Sequence, residues 1–387
     1  MAEVKDLQEY RNKKRKKEKK RTTVKWVITI TVVALLVAFV ALFETFFNVP
    51  LLEALGIVKA PDGYPTEIAG GTPKDIIPLG KNVAIVTDTE VMIYDEYGTL
   101  SVQDGHNCTN PCIRTNGKRG IVFDLGYYSY KLLNGTSSAK GFDHDNQITS
   151  AAIASNGSYA IASASSKYLT ELTVKGKNNE QLASWKSVNN YINTVAFSND
   201  SMRVAATGLY SQDGLARTTL RILDLRNEQD PVVADTELVG SAAIALSYLD
   251  NGNIVIVCDN KTVITDPDGK KLFDYSYTGK LYYYNLNQHG AYVMCEKDGE
   301  YIATMLYDAK NAGASMKVSN EFKAEEHNAT GVYILENDKL EKYDREFNKI
   351  STEKELDDAI GITCADNGTY VMTFTQILKI GEQDETR

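Results

Sequence analysis

The sequence predicts an all-β fold, a β-propeller of eight four-stranded blades with seven as the alternative, placed after one N-terminal transmembrane helix. Three observations predict it. An apolar strand phrase broken by an Asn-Gly or Asn-Asp turn keeps returning, the runs between are short and rich in Val, Ile, Tyr and Thr, and a single long uncharged stretch follows a basic tail.

The tail is residues 1–25, with a net charge of +7, against −16 for the rest of the chain. Its basic residues include Arg11, Lys13, Lys14, Arg15, Lys16, Lys17, Lys19, Lys20 and Arg21, after which no charge occurs from Trp26 to Phe43. Eighteen helical residues cover about 27 Å, close to the hydrocarbon thickness, so residues 26–47 read as one membrane span. Basic residues flank only its N-terminal end. The tail is therefore expected in the cytoplasm and the C-terminal domain outside, as a single-pass protein of the cell membrane. The basic run either contacts anionic lipid, at about 1 kcal/mol per residue held near the leaflet, or serves only to orient the span. A retained anchor fits better than a cleaved signal peptide, since Phe, Val and Leu crowd the positions where a cleavage site needs small residues. Residues 48–63, with Pro50, Pro61 and Gly63 around Leu51–Ile57, read as a stalk.

Residues 64–387 read as one β domain outside the membrane. The repeated phrase is Ala151–Ser163, then Thr194–Ala205, Ala245–Val257, Asn285–Met294 and Gly361–Met372. A second phrase, in which a strand enters an acidic or glycine turn, occurs at Met92–Leu100, Val263–Leu272 and Leu340–Ile350. Joined, the two make a four-stranded meander of about 40–45 residues, the period of a propeller blade. Units fall near residues 76–105, 110–146, 147–190, 191–240, 241–280, 281–316, 317–358 and 359–382. The last is one strand short, and a strand near 64–70 is expected to complete it and close the ring. Polar, Gly/Ala-rich Ala309–Ala329 is where the count could fall to seven.

These repeat phrases resemble the WD40-like and quinoprotein-dehydrogenase-like propellers. Over residues 11–382, the order of basic tail, single span and propeller resembles an uncharacterised family of Gram-positive bacterial envelope proteins classed as a domain of unknown function. The blades lack Gly-His and Trp-Asp pairs, and Trp26 and Trp185 are the only tryptophans, so the blade-docking tryptophans of quinone enzymes are missing. No cofactor is expected.

No catalytic signature is present. There is no G-x-S-x-G elbow, and His106, His144, His289 and His327 are dispersed without an H-E-x-x-H motif. Asp143-His144-Asp145-Asn146 starts like a calcium loop but lacks the sixth-position glycine and twelfth-position acid. Paired carboxylates such as Glu325-Glu326 read as surface charges. Cys108 and Cys112 flank a turn and could form a small disulfide loop, whereas Cys258, Cys295 and Cys364 read as buried core residues. Tyr127, Tyr128, Tyr282, Tyr283 and Tyr284 read mainly as strand core, with their outward members as a candidate recognition surface. The acidic exterior excludes nucleic acid as its ligand.

The leading expectation is a non-enzymatic binding or scaffold module for an envelope protein, a cell-wall ligand or a secreted ligand. One alternative is a hydrolase or lyase on an extracellular polymer, with acidic residues at the channel. Another is a sensor that signals through a partner.

Overall fold

The computed structural model describes residues 63–381, apart from 136, 228, 309–312, 354 and 357. The tail, span and stalk expected before residue 63 lie outside the described residues. Those described form strands and turns, with no helix.

Each returning phrase is a hairpin whose turn chemistry sets its register. The Ala154 amide donates to Ser158 O at 2.8 Å and that of Gly157 to Ala154 O at 3.0 Å; Leu249 to Asn253 O and Gly252 to Leu249 O repeat the pattern at 2.8 and 2.9 Å. Asn156 and Asn251 accept from the amides two residues on, at 2.9 and 3.0 Å. Gly157 and Gly252 stand at φ 90° and 85°, where a Cβ would be strained.

The hairpins pair into eight antiparallel four-stranded sheets. Strand β1 (Thr66–Glu67) precedes blade one, which is β2 (Pro73–Leu79), β3 (Asn82–Thr87), β4 (Glu90–Tyr94) and β5 (Leu100–Gly105). Blade two is β6 (Pro111–Thr115), β7 (Arg119–Asp124), β8 (Ser129–Asn134) and β9 (Ser137–Asp143); blade three is β10 (Ile148–Ile153), β11 (Tyr159–Ala164), β12 (Thr170–Lys175) and β13 (Gln181–Ser187). Blade four is β14 (Tyr191–Phe197), β15 (Arg203–Gln212), β16 (Leu215–Asp224) and β17 (Val232–Val239); blade five is β18 (Ala243–Tyr248), β19 (Ile254–Cys258), β20 (Lys261–Thr265) and β21 (Lys271–Ser276). Blade six is β22 (Lys280–Asn287), β23 (Gly290–Lys297), β24 (Glu300–Leu306) and β25 (Ser315–Val318); blade seven is β26 (Phe322–His327), β27 (Val332–Glu336), β28 (Lys339–Tyr343) and β29 (Lys349–Glu353). Blade eight is β30 (Ala359–Ala365), β31 (Gly368–Thr373) and β32 (Gln376–Ile380), with β1 pairing antiparallel to β32 as its fourth strand. Eight blades is the count. β25 and β26, which lie within the polar stretch, supply the strands that a seven-blade reading would omit.

Apolar packing lies in the seams between blades. The described residues form eight buried clusters, and each joins residues of neighbouring blades: Leu172 and Trp185 of blade three meet Ile192 and Val204 of blade four, and Tyr370 and Ile377 of blade eight meet Ile85 and Tyr94 of blade one. Side chains of inner strands tie the seams at the centre. Thr115 Oγ1 donates to Pro78 O at 2.9 Å, Thr149 Oγ1 to Ile192 O at 2.9 Å, and Asn193 Nδ2 to Ala243 O at 2.7 Å. Each tie satisfies a carbonyl that an inner strand, at the edge of its sheet, would leave unpaired.

One seam is also clamped from outside. The Arg221 guanidinium stacks 4.5 Å from the centre of the Trp185 ring and makes a two-pronged hydrogen bond to Asp235. Arg221→Ala is expected to lower stability by about 1 kcal/mol, a cation–π contact plus an exposed ion pair. Chemical denaturation followed by Trp185 fluorescence checks this.

Strand alternation gives the ring two unlike rims. Turns between first and second and between third and fourth strands fall on one, here the hairpin rim; turns between second and third strands and the blade-to-blade loops fall on the other, the crossover rim. Gly63 lies on the hairpin rim, its amide donating to Tyr97 O of the β4–β5 turn at 3.1 Å.

Candidate functional site

All eight inner strands, β2, β6, β10, β14, β18, β22, β26 and β30, line a central channel of about 660 Å³. Charge reaches the wall from three inner strands: β2 brings Lys74 and Asp75, β6 brings Arg114, and β26 (Phe322–His327) carries Glu325, Glu326 and His327 in succession. Alternation sends Glu325 and His327 to one side, where both are fully buried, and leaves Glu326 half-buried.

Both ring nitrogens of His327 meet an oxygen. Its Nδ1 stands 2.9 Å from Glu325 Oε1 and its Nε2 stands 3.2 Å from Gly290 O. With the Glu325 carboxyl ionised, both neighbours accept, both ring nitrogens donate and the ring is an imidazolium. Burial pulls the His327 pKa down, but the Glu325 carboxylate, with Glu326 and the Gly290 carbonyl, raises it above the ordinary value. Glu325 Oε2, equally buried, meets no hydrogen-bond donor among the described residues. Blade six holds the strand in place: Asn285 Nδ2 donates to Glu325 O at 3.0 Å, and Asn287 Nδ2 to His327 O at 2.8 Å and to Glu326 Oε1 at 3.0 Å. Enclosure by protein pushes the Glu326 carboxyl up to about 7, with the Glu325 charge adding to the shift and His327 opposing it. Asp75 of β2, on the same channel wall, is pushed up to about 6 by the protein around it, opposed by the Ile76 amide and Arg114.

The crossover rim is the second unusual surface. Exposed there are Leu125, Tyr127 and Tyr128 of blade two, Leu169 and Val188 of blade three, Tyr191, Leu215 and Val239 of blade four, and Ile244 of blade five, with Tyr282 and Phe374 further round. Fewer lie toward the hairpin rim: Met202 in a turn there, and Val232, Val233, Leu272 and Ile350 at the hairpin-side ends of outermost strands. The arc from blade two to blade five also carries exposed Asp143, Asp145, Asp213 and Asp259. None of these enters an ion pair among the described residues, whereas on the hairpin rim Arg203 pairs with Asp224 and Asp268, and Arg226 with Asp224.

The structure separates the residues singled out in the sequence. Tyr127 and Tyr128 lie exposed in the β7–β8 turn, and Tyr282 is exposed at the start of β22, four blades away. Tyr283 and Tyr284 are packing residues. Tyr283 meets Phe322 edge-on, with ring centres 4.8 Å apart, in the seam of blades six and seven, and Tyr284 joins the seam of blades five and six. Cys108 and Cys112 carry free thiols here, Cys108 packing against the seam of blades one and two and Cys112 against that of blades two and three. Neighbouring His106 is a satisfied core residue, with Nδ1 accepting from the Cys108 amide and Nε2 facing Thr87 O. The reading of Glu325-Glu326 as surface charge is corrected, since β26 turns both into the ring. The basic residues Arg11–Arg21 lie outside the described residues.

The channel residues and the rim leucines and valines were missed in sequence for different reasons. The signal for the former was present, because Glu325, Glu326 and His327 occupy an inner-strand phrase where other blades carry Ala151-Ala152-Ile153 or Thr194-Val195-Ala196. For Leu169, Val188 or Leu215 there was none. A single apolar residue in a turn has no period, and only the ring brings several together.

Comparisons with known proteins agree with this architecture. BamB from Moraxella catarrhalis superposes with a TM-score of 0.53 at 12% identity, over 80% of this chain and 95% of that one. The C-terminal WD40 domain of Sif2 gives 0.56 at 10% identity, over 80% and 96%. Apo AztD from Citrobacter koseri gives 0.52 at 10% identity, over 80% and 90%. Such likeness shows the fold. No curated protein matches in sequence. Residues 63–380 match a family model described as a family of unknown function, DUF5711, and the chain belongs to that family.

Proposed function

We propose that this member of a family of unknown function is a membrane-tethered, non-catalytic binding module that holds a protein of the cell envelope on its crossover rim. The partner presents apolar and basic side chains. One observation carries the reading: exposed large apolar residues concentrate on one rim, along an arc from Leu125 to Ile244 that also bears unpaired aspartates. Tyr and Leu side chains left in water at several consecutive blades mark a surface that is covered in use, and a mixed apolar and acidic patch is complementary to a basic, apolar one.

The test is site-directed photocrosslinking of the full chain in its own membranes. A crosslinker at Tyr128 or Val188 is expected to give one discrete adduct that a crosslinker at Met202 does not. Replacing Asp143, Asp145, Asp213 and Asp259 together with Lys is expected to lower adduct yield at least tenfold, by like-charge repulsion. Equal adducts from both rims, or a yield indifferent to charge reversal, would overturn the proposal.

A further inference from the structure

We propose that the central channel is a binding site for a small zwitterion, an amino-acid-like compound whose carboxylate is held by Arg114 and whose ammonium group is held by Glu326. This site is separate from the rim, and neither reading depends on the other.

Charge on the channel wall is divided by blade. Blades one and two bring Lys74 and Arg114 against the single carboxylate of Asp75, whereas blades seven and eight bring Glu326 and, at the hairpin-rim mouth, Asp366. Glu325 and His327 face each other inside the wall, out of reach of the channel, and His289 faces Asp250. None of Lys74, Arg114, Glu326 and Asp366 enters an ion pair among the described residues. Arg114 and Glu326 stand on inner strands three blades apart round the ring, and each keeps hydrogen-bonding capacity open to an occupant. Arg114 is exposed to the channel with one contact to the protein, Nη1 donating to Ile113 O at 2.8 Å; the rest of its planar fork matches a carboxylate. Glu326 Oε1 accepts from Asn287 Nδ2 at 3.0 Å and from the His327 amide at 3.2 Å, and no donor among the described residues takes Oε2. The channel has the volume of a small-molecule site, with polar groups on two walls to orient what enters. A positive and a negative wall on one cavity are complementary to a dipolar ion. A simple anion would meet Glu326 and Asp366, and a simple cation would meet Lys74 and Arg114.

Calorimetry on the full-length protein in detergent at pH 8, where the Glu326 carboxyl is ionised, tests this. The probes are 4-aminobutanoate, 6-aminohexanoate and 8-aminooctanoate, which differ in the reach between their charges. Each is run beside the hydroxy acid and the amino alcohol of the same length, at matched ionic strength. Expected is saturable binding of at least one zwitterion, at least tenfold tighter than either of its counterparts. Arg114→Gln is expected to weaken that zwitterion at least tenfold without changing the amino alcohol, and Glu326→Gln to weaken it as much without changing the hydroxy acid. Both side chains face the channel, so both variants are expected to keep cooperative unfolding, followed by Trp185 fluorescence. No saturable binding across the series, a counterpart that binds as tightly as its zwitterion, or a folded variant that binds the zwitterion like the wild type would overturn the proposal.

Discussion

Glu325→Ala is expected to lower the stability of the propeller by about 3 kcal/mol, near the lower end of what removing one partner of a buried ion pair costs. Two losses combine. The substitution empties a side-chain volume in the blade six and seven seam, and it removes the carboxylate that faces His327 Nδ1. The ring must then stay charged without its partner or give up a proton and leave a nitrogen unsatisfied. Glu326 softens the loss, because it already favours the protonated ring. Glu325→Gln keeps the shape and an acceptor for Nδ1, so about half the effect is expected. The double variant Glu325→Gln with His327→Gln should cost less than the two single changes summed, by about 1 kcal/mol or more, because neutral amides replace both members of the pair. Denaturant unfolding of the full chain, followed by Trp185 fluorescence, measures all four. Additive single and double variants would mean that the two side chains do not act as a pair.

This pair shows how far sequence reading reached and where it stopped. The strand phrase that ends in Asn-Gly carries its own geometry, since Asn156 and Gly157 form the turn by local hydrogen bonding and positive φ. Blades three and five share this turn, while blades one, six and eight close the same hairpin with two-residue turns, so the repeats were countable as eight with seven as the alternative. The seams are non-local. Whether Tyr283 faces solvent or Phe322 depends on a blade forty residues away, and whether Glu325 is exposed depends on Gly290 and Asn285 in the preceding sheet. An acidic pair reads as solvated in any window that omits its neighbours. The β26 strand departs from β10 and β14 by putting charge where they put Ala or Val, and such a local break in a repeated pattern is where function concentrates.

The channel also predicts an unusual pH dependence: stability that is greatest near pH 5 and falls as the pH rises to 8. Glu326 titrates at an ordinary carboxylate value when unfolded and at about 7 when folded, so between those values the folded chain binds more protons. Its contribution is fully present below the unfolded pKa and is lost as pH rises through 7. Asp75, raised to about 6, acts in the same direction. So does His327, whose raised pKa gives stability that is present below its unfolded value and lost as pH rises through the folded one. The opposite limb comes from Glu341 and Asp224. Burial works against ionisation of Glu341, but Lys349, Tyr343 and Lys339 outweigh it and hold the carboxyl at about 2; Arg226 chiefly holds Asp224 at about 2. Both stabilise above their unfolded pKa and lose that contribution as pH falls toward 2. A shift of one pKa unit corresponds to about 1.4 kcal/mol, and Glu326, half-buried at the channel wall, is discounted by about half for solvent screening. Glu326→Gln is therefore expected to stabilise the protein by about 1–2 kcal/mol at pH 8 and to bring little change at pH 4.5. Its Oε1 can still accept from Asn287 and from the His327 amide, so the wall keeps its hydrogen bonds while losing the titration. Unfolding free energies at half-unit pH steps for both proteins decide the matter, and a wild-type profile that rises from pH 5 to 8 would refute the assignment.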